Sequence, residues 1–250
     1  MKTSSELRFL SLKKLNGKYG MTIAVTLTVI GCSLALSWIL DMVMSPDSLL
    51  SLIAFEAVVF LSDLLLGVLV SGQAYIYLNI AYDKEVSFRD LRQGFTEHPE
   101  RAAMLRIPFA LAAMAATVPL HIYQLFFWES QNRDALFICM LAAIAGFAAE
   151  IAVELVFAQV FFLMHDFPDR SAGELLRASM KLMKGQKLRY FLLLLGYVPW
   201  LLLSAFLLFI PALFVMSQMY TAQAFFYREL TSARDLGARP APHGVGNSIY

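Results

Sequence analysis

The stretch SAGELLRASMKLMKG, residues 171–185, decides the fold, because the chain carries two relatives of it: TSSELRFLSLKKLNG at residues 3–17 and SFRDLRQGF at 87–95. In each copy a hydroxyl residue (Thr3, Ser87, Ser171) is followed three positions on by an acid (Glu6, Asp90, Glu174) and then by a leucine (Leu7, Leu91, Leu175), and successive copies stand 84 residues apart. A hydroxyl with an acid three residues later is a helix start: the hydroxyl accepts a backbone N–H of the first turn, and the carboxylate reaches back to the N-cap N–H. The first and third copies also share Ser11 with Ser179, Lys13 with Lys181 and Gly17 with Gly185. Both glycines stand where a helix would end in a left-handed cap. This regularity predicts an internal threefold repeat.

The third copy is the clearest amphipathic helix. At 100° per residue, Ala172, Leu175, Leu176, Met180, Leu182 and Met183 share one arc, and Glu174, Arg177, Lys181 and Lys184 share the other. Such a helix lies in the membrane interface or against the inner face of its own protein. The second copy keeps a narrow stripe of Phe88, Leu91 and Phe95 and is shortened by Gly94 and Pro99. In the first, Arg8 and Lys14 interrupt the apolar side.

Each copy runs into apolar sequence. The chain is 59% apolar and 16% charged, against roughly 25% charged in soluble domains, and its mean hydropathy is +0.63. About 20 apolar residues cross a bilayer core as a helix. Six segments are long enough: residues 19–44, 49–81, 102–128, 135–164, 190–210 and 212–227. The expected fold is an all-α polytopic membrane protein with six transmembrane helices in three hairpins, each preceded by a cytoplasmic amphipathic helix. One membrane domain covers residues 1–230, with repeats at about 3–82, 87–165 and 171–230, and a disordered cytoplasmic tail is expected at 231–250.

Lys and Arg are retained on the cytoplasmic side of a membrane. Six alternating spans put 19 of the 20 Lys and Arg on one side, with Arg133 alone on the other. Both termini are therefore expected in the cytosol. No cleavable signal peptide is apparent, so the first span reads as its own anchor. Cys32 and Cys139 fall inside spans, with no disulfide framework or zinc spacing around them. Gly67, Gly72 and Gly146 mark places where a span bends or a neighbour comes close. Pro108, Pro119 and Pro199 each free a backbone carbonyl, which needs a new partner.

The candidate site is a set of ionisable groups inside spans: Glu56, Asp63, Glu150 and Glu154, joined by His121. An acid at mid-membrane costs about 2.5–3.5 kcal/mol on insertion scales, so it faces the bundle interior or water. Glu56 and Asp63 are seven residues apart, Glu150 and Glu154 four, so each pair shares a helix face. If spans two and four pack together, the four form a ladder for protons or cations. The structural alternative is that they are paired, with Arg106, Arg189 or hydroxyls as partners, and set helix register. A second candidate surface is basic: Arg177, Lys181, Lys184, Lys187 and Arg189, suited to anionic lipid headgroups or to another membrane protein.

Enzyme signatures are missing: no His-Glu-x-x-His, Gly-x-Ser-x-Gly, phosphate-cradling glycine loop or Cys-His metal spacing. No catalytic residue, metal or cofactor is expected, an intramembrane lipid enzyme being the exception that motifs would miss. The basic helices lack the aromatic stacking platform of a nucleic-acid site.

The stretches LNIAYDKEVSFRDLRQGF (78–95), DFPDRSAGELLRASMKLMKG (166–185) and FFYREL (225–230), with Glu6-Leu7 and Gly17-Lys18-Tyr19 near the start, resemble a bacterial family of uncharacterised integral membrane proteins, domain of unknown function nine-seven-five. The resemblance implies a polytopic protein of the bacterial cytoplasmic membrane with no assigned activity. That family commonly has Pro-Gly in the fourth span, near Ala149-Glu150 here, which implies that the two glutamates are particular to this chain. Two functions of different classes fit: a non-catalytic accessory or scaffold that engages lipid or a partner, and a small permease or export component with a carboxylate path for cations or protons.

Overall fold

The computed structural model describes residues 3–207 and 209–234. Its helices are α1 (Ser4–Leu15), α2 (Tyr19–Val43), α3 (Leu49–Ala81), α4 (Gln93–Thr96), α5 (Pro99–Phe126), α6 (Arg133–Phe157), α7 (Val160–Asp166), α8 (Ala172–Met183), α9 (Lys187–Leu195), α10 (Val198–Phe206) and α11 (Ile210–Ala233), with a 3-10 turn at Phe88–Arg92 before α4. No strand occurs among the described residues.

All three helix starts form as the spacing predicts. The backbone N–H groups of Thr3, Ser87 and Ser171 donate to the carboxylates of Glu6, Asp90 and Glu174 at 2.7, 2.8 and 2.9 Å. At Ser171 this bond, with further help from the Ser171 hydroxyl, holds the Glu174 carboxyl below its usual range. The cap is therefore complete above the ordinary pKa of a glutamate and fades as pH falls through the lowered value. Gly17 and Gly185 take φ of 80° and 78°, which is how α1 and α8 end.

Five helical stretches are long and apolar enough to cross a membrane: α2, α3, α5, α6 continued by α7, and α9 continued by α10. The sixth expected segment, 212–227, lies within α11, a single helix of 24 residues. It carries Ser217, Gln218, Thr221, Gln223, Arg228 and Glu229, and this polar content sets it apart from the five. Thr231 to Ala233, expected to begin the tail, are instead the last turn of α11, because Thr231 is buried and its hydroxyl donates to the Tyr227 carbonyl. The rest of the expected tail, from 235 on, lies outside the described residues.

The leucine of each repeated stretch is buried. α1, with Leu7, packs on α11 and α9; the 3-10 turn, with Leu91, packs on α3 and α2; α8, with Leu175, packs on α7, α6 and α5. Each short helix thus leans on the pair of long helices preceding it, and the first closes on the last. The core lies where the ends of three long helices meet, through Ile76, Leu78 and Ile80 of α3, Val160 and Leu163 of α7, and Phe226 of α11. Asp166 ties these ends together, accepting from the Tyr82 hydroxyl at 3.1 Å and the Tyr227 hydroxyl at 2.7 Å. Arg228 donates to the Ala81 carbonyl. This is the end of the molecule that carries the basic residues.

Gly67, Gly72 and Gly146 prove to be places of close approach. A Cβ on Gly72 would stand 2.1 Å from the Leu91 carbonyl oxygen, and one on Gly94 2.1 Å from that of Val68, so α3 and α4 touch through backbone. A Cβ on Gly146 would stand 2.1 Å from the Ala115 oxygen. That carbonyl is the one Pro119, lacking an N–H, leaves without its helical donor. α6 therefore covers a freed carbonyl of α5 with the smallest residue available. The fourth span breaks elsewhere, at Ala158 and Gln159 between α6 and α7. Gln159 is fully buried with neither side-chain atom bonded among the described residues, and neither Gly nor Pro marks the break. In the fifth span the break follows Gly196, whose carbonyl accepts from Arg8 of α1 at 3.1 Å, with Pro199 in the first turn of α10. Arg8, which seemed to interrupt an apolar face, reaches a helix end instead.

Candidate functional site

The expected ladder resolves into three groups. Near the start of α3, Glu56 meets His121 of α5, with Oε1 and Nδ1 2.5 Å apart, while Glu56 Oε2 is buried with no hydrogen-bond partner among the described residues. The His121 ring stands edge-on to Phe55, at 5.6 Å between centroids. His121 also faces an outer cavity of about 700 Å³ whose lining includes Asp41, Asp47 and Glu129.

About 10 Å further along α3, at 1.5 Å per residue, Asp63 receives two parallel bonds from Arg106 of α5. Nε donates to Oδ2 and Nη2 to Oδ1, both at 3.0 Å. Each side chain is about a quarter exposed, 23% for Asp63 and 24% for Arg106. A guanidinium matches a carboxylate with this planar two-bond geometry, which lysine cannot reproduce. Gly67, one turn on from Asp63, gives the arginine stem its room, since a Cβ there would lie 2.7 Å from Arg106 Cβ.

The third group is Glu150 and Glu154 on α6. Both line a half-open central cavity of about 600 Å³, walled by side chains from α2, α3, α5, α6, α7, α9, α10 and α11. Neither makes a hydrogen bond or salt bridge among the described residues, and Glu154 is exposed to the cavity. Arg106 also lines this space, and Arg106, Glu150 and Asp63 lie close enough to Glu154 to act on its charge. Glu154 and Asp63 thus share one guanidinium as a neighbour, and the guanidinium is already bonded to Asp63. Tyr77, Phe162 and Tyr190 belong both to the cavity wall and to the packed core, so the core closes the cavity at the basic end.

Of the residues named from the sequence, then, Glu150 and Glu154 share one chamber. Asp63 stands beside it through Arg106, and Glu56 with His121 belongs to a separate outer site. Arg189 pairs with Glu229 at 2.8 Å and stacks over Phe226 at 5.1 Å, so it serves neither the acids nor a free surface. Arg177, Lys181, Lys184 and Lys187 are exposed. Most of the apolar arc of α8, however, is turned inward: Leu175, Leu182 and Met183 are buried against the protein's own helices, while Met180 is exposed. Arg234 donates to the Lys181 and Lys184 carbonyls at the end of α8.

Two contributors escaped the sequence reading. Gln73 of α3 and Gln223 of α11 both line the central cavity, and Gln73 is 3% exposed with its Nε2 unbonded among the described residues. An uncharged amide inside an apolar run was the signal, masked by attention to full charges. Among the described residues no group of three His, Cys, Asp or Glu is placed to hold a metal.

A model of the family described as Protein of unknown function (DUF975) matches residues 1–234. No curated protein and no solved structure matches the chain.

Proposed function

This chain belongs to the DUF975 family, and from that premise we propose that it is a small, non-catalytic permease or export component of the bacterial cytoplasmic membrane. In this reading six spans form three hairpins about a pseudo-threefold axis, α11 being the sixth, and both termini lie in the cytosol. The cyclic packing of α1, the 3-10 turn and α8 supports the threefold arrangement, and the collection of basic residues at one end supports the orientation. A cysteine placed by Lys181→Cys, with Cys32 and Cys139 replaced by serine, should react with an impermeant thiol reagent only after the membrane is opened. Labelling from the outside of intact spheroplasts would reverse the topology.

The observation that carries the functional reading is the half-open central cavity, walled by long helices from all three expected repeats, with two carboxylates that make no hydrogen bond or salt bridge among the described residues. Its volume falls within the range of about 300–1,000 Å³ usual for small-ligand sites. Uncompensated acids inside a membrane are expensive to keep and are characteristic of ion and substrate paths. The accessory or scaffold reading keeps the exposed Phe88, Phe95 and Met180 as a docking surface, but the larger part of the α8 apolar arc, Leu175, Leu182 and Met183, is covered by the protein itself. The exposed row of Arg177, Lys181, Lys184 and Lys187 still suits anionic headgroups, at about 1 kcal/mol per residue near the surface, and fits a permease equally well.

Proteoliposomes with a trapped pH indicator and an imposed potassium diffusion potential test this reading. The native chain should carry protons faster than empty vesicles. Glu150→Gln with Glu154→Gln should return the rate to that of empty vesicles while expression and melting stay unchanged. Equal flux with and without the two carboxylates would remove them from the path.

A further inference from the structure

The cavity has a chemical character beyond its size, and two features of its lining converge on one kind of occupant. Its acids outnumber its bases: Arg106 is committed to Asp63 through two bonds, while Glu150 and Glu154 make no hydrogen bond or salt bridge among the described residues. Its wall is rich in aromatic rings: Tyr77 and Tyr220 stand 5.4 Å apart between centroids, and Tyr190 and phenylalanines of α5, α6, α7 and α9 continue the lining.

Aromatic faces attract cations through the ring quadrupole, most strongly where water is scarce, and prefer ammonium groups whose charge is spread over alkyl substituents. Carboxylates add a Coulombic attraction that a low-dielectric surrounding strengthens. An inorganic cation would use the carboxylates but leave the aromatic wall idle. A neutral lipid would use the wall and leave the carboxylates unpaired. An anion is disfavoured by the free charge.

We propose that the central cavity binds a lipophilic organic ammonium ion, its charge held by Glu150 and Glu154 and its apolar body against the tyrosine and phenylalanine wall. This names the cargo class of the permease reading and rests on that reading's chamber.

The test uses the purified full chain in a neutral detergent and two probes of matched shape, benzoylcholine and its uncharged carbon isostere 3,3-dimethylbutyl benzoate. Equilibrium dialysis against protein-free micelles measures the retained fraction. Benzoylcholine should bind and the isostere should bind at least tenfold more weakly, about 1.4 kcal/mol in free energy. Glu154→Gln should weaken the cation about tenfold and leave the isostere unchanged, while Glu154→Asp, which keeps the charge, should retain most of the affinity. Asp169→Asn, outside the cavity, should weaken neither ester. Unchanged melting of each variant separates lost binding from lost fold. Equal binding of both probes would overturn the cation assignment and leave the chamber standing. Binding of neither would overturn the ligand class, and the proton-flux measurement would then decide the chamber reading by itself.

Discussion

Replacement of Arg106 by methionine is expected to destabilise the protein by about 3–5 kcal/mol, the usual cost of leaving a desolvated charge without its partner. The arginine makes two bonds to Asp63 at 3.0 Å and lines the cavity that Glu150 and Glu154 also face. Without it three carboxylates share one membrane-embedded region with no cation, and at least one must protonate or draw water inward. The melting temperature of the variant in detergent should fall sharply, and its resistance to denaturation by SDS with it. The double replacement Asp63→Leu with Arg106→Met removes both halves of the pair and should recover most of the loss, since a matched apolar pair often does as well as a buried ion pair. A single Arg106→Met variant as stable as the native chain would show that the pair contributes nothing to the fold. Failure of the double replacement to recover would assign the arginine's role to the α6 glutamates instead.

Gly146→Leu should cost about 3 kcal/mol, the upper end of the usual range for forcing extra carbons into a packed contact. The atom that a Cβ would strike, at 2.1 Å, is the Ala115 carbonyl oxygen, which is backbone and cannot swing aside. α5 and α6 would have to separate, exposing the carbonyl that Pro119 leaves free. Gly31 is the control. It lies on α2 with nothing within 4 Å of its would-be Cβ, so Gly31→Leu should leave the melt unchanged. Equal effects at the two positions would mean that glycine content, not close approach, governs stability here.

These two cases separate what is local in this molecule from what is not. The three helix starts, the glycine caps at Gly17 and Gly185 and the limits of α3 depend on hydrogen bonds within a few residues or on apolar length, so they are legible in the order of residues alone. Basic residues sort to one side for the same kind of reason, since each is read against water or lipid independently of its neighbours. That acids at spacings of seven and four share a helix face also follows from the helical repeat.

Which way that face turns does not follow, because the rotation of a helix about its own axis is set by the side chains of other helices. Asp63 found Arg106, 43 residues on, and Glu56 found His121, 65 residues on, while Glu150 and Glu154 found open space. The same limit hid the covered face of α8, whose amphipathic pattern suits a membrane surface and a protein surface alike. It hid the break at Gln159, which neither Gly nor Pro announces. The residue order by itself determined an all-helical membrane chain with three capped short helices and its positive charge gathered at one end. Only the tertiary structure decided which charges are neutralised and which remain to line a cavity, since pairing in a membrane depends on distances between helices that no periodicity encodes.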